Sequence, residues 1–438
     1  MSRNLFGTDG VRGPAGDLLT AELALALGRA ATTGSEADAP RVLVIRDTRE
    51  SGEMLEAALA AGITAAGGEA LLGGVLPTPA APLLLHRHGL DLAVVISASH
   101  NPYSDNGIKF FGPDGHKLTD AAEAAIEVAL DAPPEPVTAI GRIRRLDDTF
   151  DDYLAALLER FGGLDLSGLD VVLDCANGAT HAAGPAIFAR LGARVTALHV
   201  EPDGRNINEC CGSTHVGLLA QAVRDGGHDV GFAFDGDGDR VLAADRNGEV
   251  VDGDELIALA ALHLRSAGRL PGDGVAVTVM TNYGFHAAMA EHGIEVATTN
   301  VGDRYVLEAM RDRGFALGGE QSGHIIESSF NPTGDGIASA LLTLESLEGA
   351  DLAERHAMRK LPQRLVNVRV ADRAAAADSP ELHDAAQRES DALEGRGRVL
   401  VRPSGTEPLV RVMVEAPSVE EADAVCARLV AVVPGAVG

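Results

Sequence analysis

Val230-Gly231-Phe232-Ala233-Phe234-Asp235-Gly236-Asp237-Gly238-Asp239-Arg240 begins as an apolar strand and breaks abruptly into aspartates alternating with glycines. A short apolar run closed by turn residues reads as a strand buried on both faces, as in parallel sheets. The same pattern stands upstream, where Asp91 to Ile96 runs into Ser97-Ala98-Ser99-His100-Asn101-Pro102. It returns in a unit that starts with the strand Val275 to Met280 and reaches Gly318-Gly319-Glu320-Gln321-Ser322-Gly323-His324. Helical spacing marks Leu18 to Ala31, Ser51 to Ala66 and Pro185 to Leu191, and Asp254 reads as the cap of a helix through Leu264. Further strands fall at Arg41 to Ile45 and Asp170 to Leu173. Strands alternating with helices make βαβ units, each with a polar loop at a strand's C-terminal end.

These restarts predict three similar α/β domains with mixed sheets, at residues 1–150, 151–252 and 253–365. The polar, proline-bearing stretch Ala132 to Asp148 reads as the linker after the first. The remainder, 366–438, is different. Strands at Leu365 to Val370, Arg398 to Val401 and Val410 to Val414 precede a helix from Val419 to Val430 capped by Ser418, which predicts a smaller α+β domain.

Composition narrows the function. The 438 residues carry 46% hydrophobic but only 3% aromatic residues, which suits an aliphatic α/β core rather than a binding module built on aromatic platforms. A net charge of −28 argues against a nucleic-acid partner, whose phosphates demand a basic face. Cys175, Cys210, Cys211 and Cys426 are too few for a disulfide framework, as expected of a cytoplasmic chain. Cys210 and Cys211 with His215 lack the paired spacing of a zinc site. No apolar run has the ~20 residues needed to span a bilayer, so no membrane partner is expected. Oligomeric state leaves no mark here, and a homodimer stays open.

The chemistry is concentrated in a few loops. Glycines let Asp235, Asp237 and Asp239 converge on one point, and carboxylates that close repel unless a cation neutralises them. Oxygen ligands alone favour Mg²⁺. An EF-hand is excluded, because Arg240 and Arg246 stand where its glycine and glutamate belong. Ser99 at a strand end offers a hydroxyl nucleophile, although a serine there also serves simply to cap a turn. Ser97 and Asn101 replace the glycines of a nucleophile elbow, which argues against acyl transfer. Lys109 is either a cation for a phosphoryl oxygen or a surface lysine. Glu320, Ser322 and His324 suit a polyol or form an ordinary loop. Arg402-Pro403-Ser404-Gly405-Thr406-Glu407-Pro408, with Arg411, reads as an anion site: paired N–H donors, two hydroxyls and a glycine that lets backbone approach. No Gly-Lys-Ser or Gly-Lys-Thr exists for a P-loop, and Val241 stands where a dinucleotide fingerprint needs its third glycine.

Together these segments resemble the α-D-phosphohexomutase superfamily. The resemblance is carried by Phe6 to Gly13, Ser97 to Pro102 with Asn106-Gly107-Ile108-Lys109, Asp235 to Arg240, Gly319 to His324, and Arg402 to Pro408. It implies four domains around a central active-site cleft, with Ser99 phosphorylated and one Mg²⁺ held by Ser99, Asp235, Asp237 and Asp239. Glu320 and Ser322 would touch sugar hydroxyls. Arg402, Ser404, Gly405 and Thr406 would grip the phosphate not being transferred, while Arg12, His100, Lys109, Arg240 and His324 would stand near the reacting group. Gln321 and the segment Val301-Gly302-Asp303-Arg304-Tyr305-Val306 lean towards members acting on glucosamine phosphates, which feed amino-sugar nucleotide and cell-wall precursor synthesis. Tyr283 departs from the small or aliphatic residue expected there. The expected reaction interconverts glucosamine 6-phosphate and glucosamine 1-phosphate through a bisphosphorylated sugar. A sister mutase acting on mannose or glucose phosphates, a metal-dependent phosphatase, and a non-catalytic sugar-phosphate binding protein are the rival readings.

Overall fold

A computed structural model of the chain describes residues 5–7, 9–130, 139–404 and 407–435. They divide into two compact units, Met1–Val279 with Glu295–Arg355, and Met280–Ile294 with His356–Gly438.

The first unit holds three sheets. Strands β1 (Val11–Pro14), β2 (Arg41–Arg46), β3 (Glu69–Val75), β4 (Leu92–Ile96), β5 (Asp105–Phe111) and β6 (Ile143–Arg145) form one, in the order β1-β5-β4-β2-β3-β6. β4 runs parallel to β2 and antiparallel to β5, so the sheet is mixed. Every residue of β4 is buried, as its unbroken apolar run requires. The helices Ala21–Thr33 and Ser51–Ala65 pack closely because Gly28 and Gly62 lie against the backbone of the opposite helix; a Cβ on Gly62 would stand 2.0 Å from the carbonyl oxygen of Leu25. Phe6, Val11, Leu27, Val44, Leu59, Val94, Ile108 and Phe110 share one core.

The second sheet is built from β7 (Asp170–Asp174), β8 (Arg194–Leu198), β9 (Val230–Phe234), β10 (Val241–Asp245) and β11 (Val250–Val251), in the order β11-β10-β9-β7-β8. The third has β12 (Gly274–Thr278), β13 (Glu295–Thr299), β14 (Leu317–Gly319) and β15 (Ile325–Glu327), in the order β13-β12-β14-β15. Each sheet keeps a parallel heart and adds an antiparallel strand directly after the strand that carries the polar loop.

The second unit has β16 (Gln363–Arg369), β17 (Arg398–Pro403) and β18 (Leu409–Glu415), antiparallel with β18 in the middle. Val368, Val410, Val412, Leu382, Val425 and Leu429 form its core. Helix Val419–Val430 begins where Ser418 accepts from the Glu421 N–H.

Three expectations need correction. The helix expected from Leu18 starts at Ala21, capped by Thr20. The cap of helix Gly253–Ser266 is Asp252, whose carboxylate accepts from the Glu255 N–H, while Asp254 is buried in the first turn. The supposed linker contains β6, which pairs parallel with β3 through Ala70 to Leu72; residues 131–138 of that stretch lie outside the described residues.

Candidate active site

The three polar loops follow β4, β9 and β14, each an interior strand of its sheet. The sheets bring them together. Ser99 is 1% exposed with φ +53°, and its Oγ donates to Asp235 Oδ2 at 2.5 Å. A Cβ on Gly236 would stand 2.5 Å from the Ser99 carbonyl oxygen, so only glycine lets the two loops approach this closely. The hairpin from β14 to β15 joins the aspartate loop through backbone: Val241 N–H donates to the Gly323 carbonyl, and Arg240 bridges His324.

Asp235, Asp237 and Asp239 are all buried, and each offers an oxygen within 4.8 Å of the other two. Burial, then the charges of Asp239 and Asp237, push the Asp235 carboxyl well above the usual range. Burial opposes ionisation of Asp237 too, but the Lys109 ammonium at 2.8 Å and the Thr78 hydroxyl at 2.6 Å outweigh it and hold that carboxyl low. Asp237 Oδ1 and Asp239 Oδ1 are buried with no hydrogen-bond partner among the described residues. Converging carboxylates with orphaned oxygens fit a hard divalent cation.

Cations and imidazoles surround the cluster. Lys109, 1% exposed on β5, also lies 3.2 Å from Asp9, which pairs in turn with Arg12 and Lys117. Lys117 reaches Asp303 at 2.5 Å, whose carboxyl is held low because the Lys117 charge, with that of His324, overcomes burial. Arg12 Nη1 donates to the Ala98 carbonyl at 3.4 Å. His100 lies within 3.4 Å of both Ser99 Oγ and Arg240 Nη1, and burial, then Arg240 and Arg12, lower its pKa. His324 is 2% exposed; both ring nitrogens lack a hydrogen-bond partner among the described residues, and Nε2 stands 3.9 Å from Asp239 and 4.0 Å from Asp303. A cavity of about 400 Å³ opens beside Lys117, Asp303 and His324. Glu320 accepts from the Gly302 N–H at 3.0 Å, whereas Ser322 at the hairpin tip is exposed.

The second unit carries its own anion-binding features. Arg402 and Arg411 are directly paired across β17 and β18. Burial, then the charge of Arg411, lower the Arg402 pKa. Ser404 is 3% exposed and its Oγ accepts from the Glu407 N–H. Like charges on directly opposed residues repel, and although Arg411 Nη2 lies 3.8 Å from Glu407, an anion joining both arginines would relieve it. Gly405 and Thr406 lie outside the described residues.

Another group, Asp174, His199 and Cys211, also has ligand-type atoms within 4.8 Å. Its carboxylate is already occupied, accepting from the N–H groups of Ala176 and Gly212 and from His199 Nδ1, each at 3.0 Å. Burial pushes the Cys211 thiol up to about 12. These are structural bonds that pin the loop ends.

Sequence motifs pointed to the aspartates, Ser99, Lys109, Arg12, His100, Arg240 and His324, which the first unit does gather. They assigned nothing to Thr78 and Lys117, and no role to Asp9 or Asp303. Thr78, Lys117 and Asp303 act through partners more than a hundred residues away, so spacing carries no sign of them, whereas Asp9 also pairs with Arg12 three residues on.

The arrangement has known counterparts. Descriptions of phosphoglucomutase/phosphomannomutase α/β/α domains I, II and III match residues 3–135, 151–248 and 252–365, and the C-terminal domain of that family matches 365–432. The chain belongs to this phosphoglucomutase/phosphomannomutase family. Within it, the mutase is 52% identical over 441 residues to the phosphoglucosamine mutase of Moorella thermoacetica, covering 98% of this chain and 99% of the relative. It is 50% identical to that of Mycolicibacterium smegmatis, covering 97% and 98%. Among solved structures, a phosphoglucomutase/phosphomannomutase family protein from Burkholderia thailandensis matches with a TM-score of 0.81 at 25% identity, covering 99% of this chain and 98% of that one. The N-acetylphosphoglucosamine mutase of Aspergillus fumigatus shares the fold, with a TM-score of 0.65 at 21% identity and coverage of 100% and 96%. The mutase is therefore an isomerase with three α/β/α domains and a distinct C-terminal domain. Among the described residues no helix is long and apolar enough to cross a membrane.

Proposed function

We propose that the mutase interconverts glucosamine 6-phosphate and glucosamine 1-phosphate, with Ser99 carrying the phosphoryl group between the two positions. The observation that carries this reading is Ser99 Oγ bonded at 2.5 Å to one aspartate of a buried triad whose companions keep orphaned oxygens. A nucleophile beside a divalent-cation site is what phosphoryl transfer needs. The preference for glucosamine rests on the relatives at about half identity, which are phosphoglucosamine mutases.

Asp235, Asp237 and Asp239 would hold Mg²⁺ together with an oxygen of the Ser99 phosphate; the cation supplies charge neutralisation at the transferring group. Lys109, Arg12 and Arg240 are the cations that hold phosphoryl oxygens in line. Burial and Arg240 favour neutral His100, while His324 has both nitrogens open, so both are suited to carry protons to and from sugar hydroxyls. Glu320 and Ser322 are assigned to sugar hydroxyls. Arg402, Ser404, Gly405, Thr406 and Arg411 are assigned to the second phosphate, on the strength of the facing guanidinium groups. A bisphosphorylated sugar is the necessary intermediate, because Ser99 must give one phosphoryl group before regaining the other.

The test is direct. Intact-mass measurement should find one added phosphoryl group on the Ser99 peptide, and Ser99→Ala should lose at least about a thousandfold in turnover while keeping its melting temperature. Near wild-type turnover in that variant sinks the reading. Stoichiometric release of inorganic phosphate would instead favour a phosphatase.

A further inference from the structure

The segment that presents Ser99 is held from behind by two side chains with no part in the chemistry described above. Arg49, fully buried in the loop after β2, uses every donor of its guanidinium. Nε donates to Asp47 at 2.8 Å, and Nη1 to the carbonyls of Asp105, at 3.0 Å, and Pro102. Nη2 donates to the carbonyls of Ser99 and Asn101, both at 2.9 Å. Asn208, in the loop after β8 of the second sheet, sends its Nδ2 to the same two carbonyls, at 2.9 Å and 3.1 Å. From the other side, Asp47 accepts the Ser97 hydroxyl at 2.5 Å, and that hydroxyl accepts the Ser99 N–H at 2.9 Å.

This degree of restraint has a local cause. Serine at φ +53° sits in a region that side-chain-bearing residues rarely adopt, and such backbone persists only where its surroundings over-determine it. Fixing the carbonyls on both sides of His100 fixes the backbone from which the Ser99 Oγ reaches Asp235. A nucleophile misplaced by a fraction of an ångström loses much of the advantage of alignment.

We propose that Arg49 and Asn208 are positioning residues for the Ser99 nucleophile: a clamp drawn from the loops of two different sheets that grips the Ser99 and Asn101 carbonyls and aims Oγ at the aspartate cluster. The proposal rests on the reading of Ser99 as phosphoryl carrier. Reactive geometry then depends on the first and second sheets' loops meeting.

Asn208→Gly tests this cleanly, because Asn208 has φ +58° and glycine accepts that backbone without strain. The expected result is a fall in kcat of about 10–100-fold, with KM for glucosamine 6-phosphate within about twofold and the melting temperature unchanged. Arg49→Lys should also lower kcat, and the double variant should lose less than the product of the single losses, since both side chains hold the same carbonyls. Wild-type kcat in Asn208→Gly, or a loss that tracks a lowered melting temperature, overturns the positioning role. Ser99→Ala, assayed alongside, separates the two ideas: its activity would remove Ser99 as carrier, whereas a dead Ser99→Ala beside a fully active Asn208→Gly removes only the clamp.

Discussion

Asp237 and Asp239 differ in what their side chains already hold. Asp237 is committed to Lys109 and Thr78, so replacing it would leave a buried ammonium with Asp9 as its one ion-pair partner among the described residues. Among the described residues Asp239 has only distant ion pairs, Arg240 Nε at 3.8 Å and His324 Nε2 at 3.9 Å, and a buried oxygen without a hydrogen-bond partner. Asp239→Asn should therefore report on the cation more cleanly. The Mg²⁺ concentration for half-maximal activity is expected to rise at least about tenfold, equivalent to about 1.4 kcal/mol of lost binding. In EDTA the same variant should melt no lower than wild type, because one of three mutually repelling buried carboxylates has gone. Magnesium titration of activity and metal-free thermal melts check both halves. An unchanged magnesium requirement would remove Asp239 from the ligand set.

At the scale of elements, local sequence signals did best where capping and periodicity agree. Ser418 and the helix Val419–Val430 fall where the sequence placed them, because a serine cap followed by Glu420 and Glu421 satisfies free N–H groups and suits the helix dipole. Ser418→Ala should cost the second unit about 1 kcal/mol, read as a lower midpoint in chemical denaturation, with the active-site residues of the first unit untouched. Asp254 misled for an instructive reason. Two neighbouring aspartates compete for one cap, and the winner, Asp252, is the one whose extended backbone lets its carboxylate turn back on the helix. β6 escaped notice because all three of its residues are exposed and leave no apolar alternation to read. The turn containing Glu320 and His324 became intelligible only as a hairpin whose closing residues pair with the aspartate loop.

For the whole molecule, acid sensitivity should include a contribution from the second unit. His286, on helix Tyr283–Glu291, packs beside Tyr283 and against the edge of Phe285, and burial, then the charge of Arg398, lower its pKa to about 4. In the unfolded chain an imidazole titrates near ~6.5. As pH falls from about 6.5 to about 4 the unfolded state takes up a proton that the folded state refuses, so stability present at neutral pH is lost on acidification. Because the ring is only partly buried, the share is about 1–2 kcal/mol rather than the full shift. His286→Phe should flatten the decline by that amount in calorimetric unfolding between pH 7 and pH 4. An identical decline in both proteins would refute it.

By itself the sequence determined the succession of buried strands and polar loops, the chemical character of each loop, and the family to which such a succession belongs. Those properties are local: burial follows from an apolar run, and the convergence of the carboxylates from the glycines that space them. Only the tertiary structure decided which distant side chains complete them. Thr78 and Lys109 on Asp237, Lys117 between Asp9 and Asp303, and Arg49 with Asn208 behind Ser99 are all pairings across separate elements. Buried charges and strained backbone must find partners wherever the fold brings them, and no spacing along the chain encodes that meeting.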